Sequence, residues 1–244
     1  MDLNFSCIFD WDGVIIDSSG HHIEGWRRLA KEEHLVFPEH LFKQSFGMKN
    51  EEIIPNLWKW TNDISEIRRI DKKKEAMYRE IMKEKGLVAL PGVEKLLRIL
   101  KENKISCAIG SSAPRANITT GLDILGYNGF FKAIVSGEDV KLGKPSPQIF
   151  LEAAKRLKAN PEECIVFEDA KVGVAAGKAA CMKLVAITNT YPESELRDAD
   201  IVVDSLEKIS LMDLELLWKK RLLSLPRTRE SSQQLKHRVP LSRE

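Results

Sequence analysis

Cysteine is scarce, and the four present are not spaced to work together. Cys7, Cys107, Cys164 and Cys181 form no CxxC pair, which argues against a zinc site and for a reducing compartment. Three of them lie in apolar, strand-like runs and read as small buried hydrophobes. No apolar run approaches the length needed to span a bilayer, so no membrane role is expected. An excess of either charge is also missing: 38 Lys and Arg against 36 Asp and Glu leave a net +2, with no bulk electrostatic reason to expect nucleic acid. At 43% hydrophobic residues a generally disordered chain is excluded. The first chemically suggestive residues appear by position 10, which leaves no room for a cleaved leader, and the expected location is cytoplasmic.

Against these absences stands the segment Phe9-Asp10-Trp11-Asp12-Gly13-Val14-Ile15-Ile16-Asp17. It puts two carboxylates two residues apart directly after the apolar run Cys7-Ile8-Phe9. Carboxylates at the end of a buried strand must be paired, protonated or bound to a cation. Taken alone, Asp-x-Asp-Gly is also turn chemistry, so the rest of the chain has to decide.

From residue 92 onward, apolar residues at helical spacing alternate with short β-branched runs. Val93, Leu96, Leu97 and Leu100 predict a helix, Ile105 to Ile109 a strand and Pro114 to Leu125 a helix. Strands are expected at 133–135, 164–167, 184–187 and 201–203, with helices near 147–158, 171–181 and 206–223. Repeated βα units imply an α/β fold, a Rossmann-like parallel sheet covered on both faces, with ligands beyond the C-terminal strand ends. Residues 18–87 break this rhythm with charge-rich helical segments and no convincing strand. They read as a helical cap inserted into a core made of 1–17 and 88–225, placed to act as a lid. The polar stretch 226–244 lacks an apolar face and is expected to be a disordered tail. At 244 residues the chain is long enough for such a core plus a satellite.

Three further segments place chemistry at strand ends. Gly110-Ser111-Ser112-Ala113-Pro114-Arg115 brings hydroxyls and backbone N–H groups to a helix start, an anion cradle, although a plain serine N-cap would need only one of them. In Gly143-Lys144-Pro145-Ser146-Pro147, Pro145 holds Lys144 in place to neutralise an anion, while Lys141 reads as a solvated loop lysine. Cys164-Ile165-Val166-Phe167 runs straight into Glu168-Asp169. Gly173 and Gly177 in the helix that follows read as packing positions. Two like charges about 4 Å apart repel by roughly 4 kcal/mol at an effective dielectric near 20, so a carboxylate cluster of this kind wants a divalent cation. All-oxygen ligands favour Mg²⁺.

The four segments FDWDGVIID, IGSS, GKPSP and FEDA, in this order, resemble the haloacid dehalogenase-like (HAD) superfamily, specifically its capped phosphatases and the β-phosphoglucomutase-like branch. The resemblance covers residues 5 to 205. It implies that Asp10 is the nucleophile that becomes an aspartyl phosphate and that Asp12 is the general acid and base, with a pKa raised by crowding of like charge. It further implies that Ser111, Ser112 and Lys144 hold the phosphoryl group, and that Asp10, Asp12 (through its backbone carbonyl), Asp169 and Glu168 hold Mg²⁺. His22 is the cap residue expected to contact Asp12 and substrate, and Arg115 a weaker substrate contact. The mutase branch grips a second phosphate with a lysine and an arginine where this chain has Phe46 and Asn50, with Lys49 nearby. The implied activity is therefore hydrolysis of a small phosphate ester, of sugar phosphate or phosphoglycolate type, by a monomer or weak homodimer. A phosphomutase and a catalytically idle binding module remain the alternatives.

Overall fold

A computed structural model describes residues 4–45 and 48–224. Six strands, β1 (Ser6–Phe9), β2 (Ser106–Gly110), β3 (Ala133–Val135), β4 (Cys164–Glu168), β5 (Lys183–Ile187) and β6 (Ile201–Val203), form one sheet in the order β3-β2-β1-β4-β5-β6. Every pairing is parallel. This is the doubly wound arrangement, in which the chain reverses direction across the sheet between β1 and β4 and opens a crevice at their C-terminal ends.

The eight helices among the described residues are α1 (Ser19–Glu32), α2 (Asn50–Glu52), α3 (Ile64–Lys85), α4 (Val93–Glu102), α5 (Arg115–Leu125), α6 (Gln148–Leu157), α7 (Lys171–Ala179) and α8 (Leu211–Ser224). A wide turn over Ile53–Leu57 prolongs α2. Strand alternation divides the core into two layers. Cys7 and Phe9 of β1 pack with Leu96, Leu97, Ile118, Leu122 and Leu214 from α4, α5 and α8. Ile8 faces the other way, with Phe150, Ala153 and Val174 from α6 and α7. Both faces of β1 are therefore buried, which is why its residues are apolar without interruption.

One long helix expected over 206–223 is instead a short turn, Leu206–Lys208, followed by α8. The break is local chemistry: Ser210 and Asp213 cap each other, with the Ser210 amide donating to Asp213 at 2.9 Å and the Asp213 amide to Ser210 Oγ at 3.3 Å. Such a reciprocal cap starts a new helix. The helix expected to reach residue 181 ends at Ala179, and Cys181 takes a positive φ of 59°. The tail 226–244 lies outside the described residues.

Helices α1 to α3 leave the sheet after β1 and form a separate apolar cluster of Trp26, Leu29, Phe42, Ile54, Trp58, Ile67 and Ile70. Trp26 meets Trp58 edge-on at 5.7 Å. The outgoing and returning strands of chain lie side by side, joined by a Leu90 amide to Ile15 carbonyl hydrogen bond of 2.9 Å and an Ile16–Ala89 bridge. The helical insert thus hangs from two adjacent connections directly above the crevice.

Candidate active site

Sheet register brings the acidic residues together. Phe9 pairs with Ile109 on one side and Phe167 on the other, so Asp10, Gly110 and Glu168 emerge at one level. Trp11 is fully buried and anchors the segment between the two aspartates. The chain then turns at Gly13, whose φ is +79° and whose added β-carbon would lie 1.9 Å from Asp169 Oδ2. A side chain there is excluded both by backbone conformation and by the carboxylate it would displace.

Asp10, Glu168 and Asp169 are buried and can each offer an oxygen within 4.8 Å of the others. Burial, reinforced by Glu168 and Asp12, pushes Asp10 up to about 6 against the pull of Lys144 and Ser111. Asp169 is raised by burial and by the neighbouring Glu168 and Asp10. Lys144 is the ammonium among them, 3.0 Å from Asp10 Oδ1 and 2.5 Å from Glu168 Oε1, with its side chain 3% exposed. Although burial opposes its charge, the two carboxylates push its pKa upward overall. The other oxygen of Glu168 accepts the amides of Asp169 and Ala170 at 2.7 and 2.8 Å, at the start of α7. Thr190, from the loop after β5, donates to Asp169.

Three clustered carboxylates with one ammonium, two of them raised in pKa, are the donor set that a divalent cation relieves. Asp10 Oδ1 also lacks an aligned hydrogen-bond donor while fully buried. The site therefore fits a hard, oxygen-ligated cation.

Asp12 behaves differently from the expectation of a raised pKa. Burial favours the neutral form, yet His22, Ser18 and Lys74 outweigh it and hold the carboxyl below its usual value. His22 Nε2 stands 3.5 Å from Asp12 Oδ1. Its ring stacks on Tyr78 at 4.0 Å, and its Nδ1 lies 2.7 Å from Lys74 Nζ. An ammonium only donates, so Nδ1 accepts and Nε2 carries the proton facing Asp12.

Of the serine loop, Ser111 is buried and draws the Asp10 pKa down. Its amide is not available as expected, since it donates to Val135 at 3.0 Å, and the Ala113 amide turns to Ser111 Oγ at 3.3 Å. Ser112 lines the cleft. Arg115 does not: its guanidinium is drawn to Asp139 at 2.5 Å and to the Ile134 carbonyl at 3.0 Å. Gly173 is more than sheet packing, because its β-carbon would lie 1.7 Å from Glu168 Oε1. Gly177 does pack on the sheet, against Leu184 and Val166. Phe46 lies outside the described residues.

Sequence reading missed Lys74, Glu75 and Thr190. Lys74 had a signal: it falls at helical spacing with the buried Ile67, Ile70, Tyr78 and Ile81 of α3, and a lysine on an apolar face needs a partner. Thr190 had none beyond its place in a loop after a strand.

The chain matches the family described as haloacid dehalogenase-like hydrolase over residues 6–180. It belongs to that family. Among curated proteins this hydrolase is 35% identical over 213 residues to the chloroplastic 5-amino-6-(5-phospho-D-ribitylamino)uracil phosphatase of Arabidopsis thaliana, a match covering 86% of this chain and 57% of that protein. It therefore spans little more than half the length of that relative. It is 33% identical over 177 residues to the phosphorylated carbohydrates phosphatase of Thermotoga maritima, covering 71% of this chain and 80% of that one. Among solved structures, beta-phosphoglucomutase from Clostridium difficile superposes with a TM-score of 0.79 at 28% identity, over 90% of this chain and 99% of that one. The phosphatase-named relatives support a HAD-type phosphoric monoester hydrolase. No helix among the described residues is long and apolar enough to cross a membrane.

Proposed function

We propose that this HAD hydrolase is a Mg²⁺-dependent phosphatase that cleaves a small phosphorylated metabolite through an aspartyl phosphate on Asp10. The observation that carries the reading is the placing of Asp10 against Lys144, with Asp12 two residues on and in reach of His22. One oxygen of Asp10 attacks phosphorus as the ester P–O bond breaks, and Asp12 delivers a proton to the departing oxygen. Water then attacks the same phosphorus, Asp12 takes its proton, and the bond to Asp10 breaks to release phosphate. Lys144 and Ser111 hold the phosphoryl oxygens through both steps. Asp10, the Asp12 backbone carbonyl, Asp169 and Glu168 would hold Mg²⁺, which supplies charge neutralisation for the transferring group.

Asp12 rests ionised in the free site. The negative charge of an arriving ester is what raises its proton affinity, so protonation follows binding. The helical insert over residues 18–87 serves as the cap that shields this exchange from bulk water, with 1–17 and 88–225 as the core. Cytoplasmic location and a monomeric or weakly dimeric state belong to the same reading.

The test is phosphate release from a panel of sugar phosphates, phosphoglycolate, glycerol phosphates and nucleotides, with Mg²⁺ and with EDTA. Magnesium-dependent release that disappears in Asp10→Asn is expected; an unchanged rate in that variant would overturn the mechanism. Likeness to beta-phosphoglucomutase structures favours a second reading, phosphate transfer within a hexose phosphate. Isomer conversion without net phosphate release would select it.

A further inference from the structure

The phosphatase reading gives Asp10 and Asp12 their roles and leaves Trp11, the residue between them, without one. Both aspartates line the cleft, whereas the indole of Trp11 is 0% exposed. Its N–H is buried and has no acceptor among the described residues. An orphaned donor costs stability, and a phenylalanine or leucine in its place would carry no such cost. What the indole offers instead is reach.

That reach ends at Gly121, buried in the interior of α5. A β-carbon on Gly121 would lie 2.3 Å from Trp11 Cζ2 and 3.1 Å from Cη2, so a methyl group and the ring cannot both be accommodated. Glycine inside a helix is disfavoured relative to alanine, and here the ring is what excludes alanine. The same β-carbon would meet Leu87 Cδ1 at 3.2 Å, and Leu87 belongs to the chain returning from the insert. The outer edge of the indole therefore sits where three elements converge: the turn after β1, α5 and the return connection of the insert.

The backbone on either side of the ring is held as well. The Trp11 carbonyl accepts from the Ile15 and Ile16 amides at 2.9 and 3.2 Å, and the Asp10 amide donates to the Phe167 carbonyl of β4 at 3.0 Å. With both flanks tied, a displaced indole has to turn the segment from Asp10 to Asp12. Two carboxyl groups that act on one phosphorus and its leaving oxygen tolerate little of this, since a misplacement of about 1 Å can cost about a hundredfold in rate.

We propose that Trp11, seated against Gly121, is a positioning residue: its ring fixes the orientation of Asp10 relative to Asp12 and refers it to α5 and to the return connection of the insert. Fully buried, the ring touches no substrate, so its effect belongs in kcat rather than in KM. The proposal rests on the phosphatase reading, because that reading gives the two aspartates their joint task.

The test measures Mg²⁺-dependent hydrolysis of p-nitrophenyl phosphate, together with melting temperature, for the wild type, Gly121→Ala, Trp11→Phe and the double variant. Assays are run where far-UV circular dichroism shows each protein folded. Gly121→Ala and Trp11→Phe are each expected to lower kcat about tenfold with KM held within about threefold. Phenylalanine lacks the Cζ2 and Cη2 atoms that face Gly121. In the Trp11→Phe background the same alanine should therefore raise the melting temperature and leave kcat within about twofold of that background, a coupling that general packing does not produce. Should Gly121→Ala alone fail to fold, kcat of Trp11→Phe against the wild type carries the test. A wild-type kcat in either single variant, or an equal loss from Gly121→Ala in both backgrounds, would overturn the inference while leaving the phosphatase standing. Absence of magnesium-dependent release by the wild type, from p-nitrophenyl phosphate and sugar phosphates alike, would remove the phosphatase reading and this inference with it.

Discussion

Gly13 and Asp169 occupy each other's space: a β-carbon on the glycine would sit 1.9 Å from Asp169 Oδ2. The turn after β1 and the acid after β4 are thus built as one unit across the switch point of the sheet. Gly13→Ala has to move one of them, and it also forces alanine to a φ of +79°, which costs about 1–2 kcal/mol. We expect weakened Mg²⁺ binding by calorimetry, loss of phosphatase activity and a lowered melting temperature, with far-UV circular dichroism unchanged.

Lys144 is the buried countercharge for Asp10 and Glu168. Removing one partner of a buried ionic cluster leaves uncompensated charge, a loss of roughly 3–5 kcal/mol. Lys144→Met should melt well below the wild type, and millimolar Mg²⁺ should restore part of the difference by neutralising the same carboxylates. Activity should fall by at least about a hundredfold even where the variant is folded. A melting temperature equal to that of the wild type without metal would contradict the pairing.

His22 contributes to holding Asp12 below its usual value, together with Ser18 and Lys74. In His22→Ala the Asp12 carboxyl should titrate at higher pH. Because Asp12 must deliver a proton in the first step, it limits the alkaline side, and the alkaline limb of the kcat/KM profile, where it reports Asp12, should move upward with it. A profile that keeps its alkaline limb while losing amplitude would assign His22 to substrate contact alone.

Glu75 links the insert to the core through Asn117, and the Lys74 ammonium, helped by that Asn117 hydrogen bond, depresses it from 4.5 to about 2 in spite of its burial. A carboxylate depressed on folding stabilises the native state fully above its unfolded pKa, and that contribution fades as pH falls through the folded value. The shift corresponds to about 3 kcal/mol, lost between roughly pH 4.5 and pH 2. Urea midpoints of Glu75→Gln across this window should therefore decline less steeply with acid than those of the wild type.

The βα alternation and the carboxylate-bearing strand ends were legible because both follow from short-range rules. Buried parallel strands need uninterrupted apolar runs such as Cys7-Ile8-Phe9, and acid placed directly after such a run is conspicuous. The start of the helix expected at 206–223 was less legible, since the Ser210–Asp213 cap competes with a continuous helical period. The insert's chemistry was the least legible. Lys74 and Glu75 lie in a charge-rich segment whose composition looks like solvated surface, and only the packing of α3 against α1 and α5 buries them.

Residue order alone dictated the elements and the four motifs, because helix period, strand period and strand-end chemistry are local properties. Tertiary structure decided three things that involve residues far apart in the chain. The register of β1 with β4 gathered Asp10, Glu168 and Asp169 within 4.8 Å. Arg115 was drawn out of the cleft by Asp139, 24 residues away. Asp12 came under His22 and Lys74, so that its carboxyl is depressed where crowding by acids alone would have raised it. Charges act through space with a strength set by burial and distance, and neither is encoded at the position of the residue that feels them.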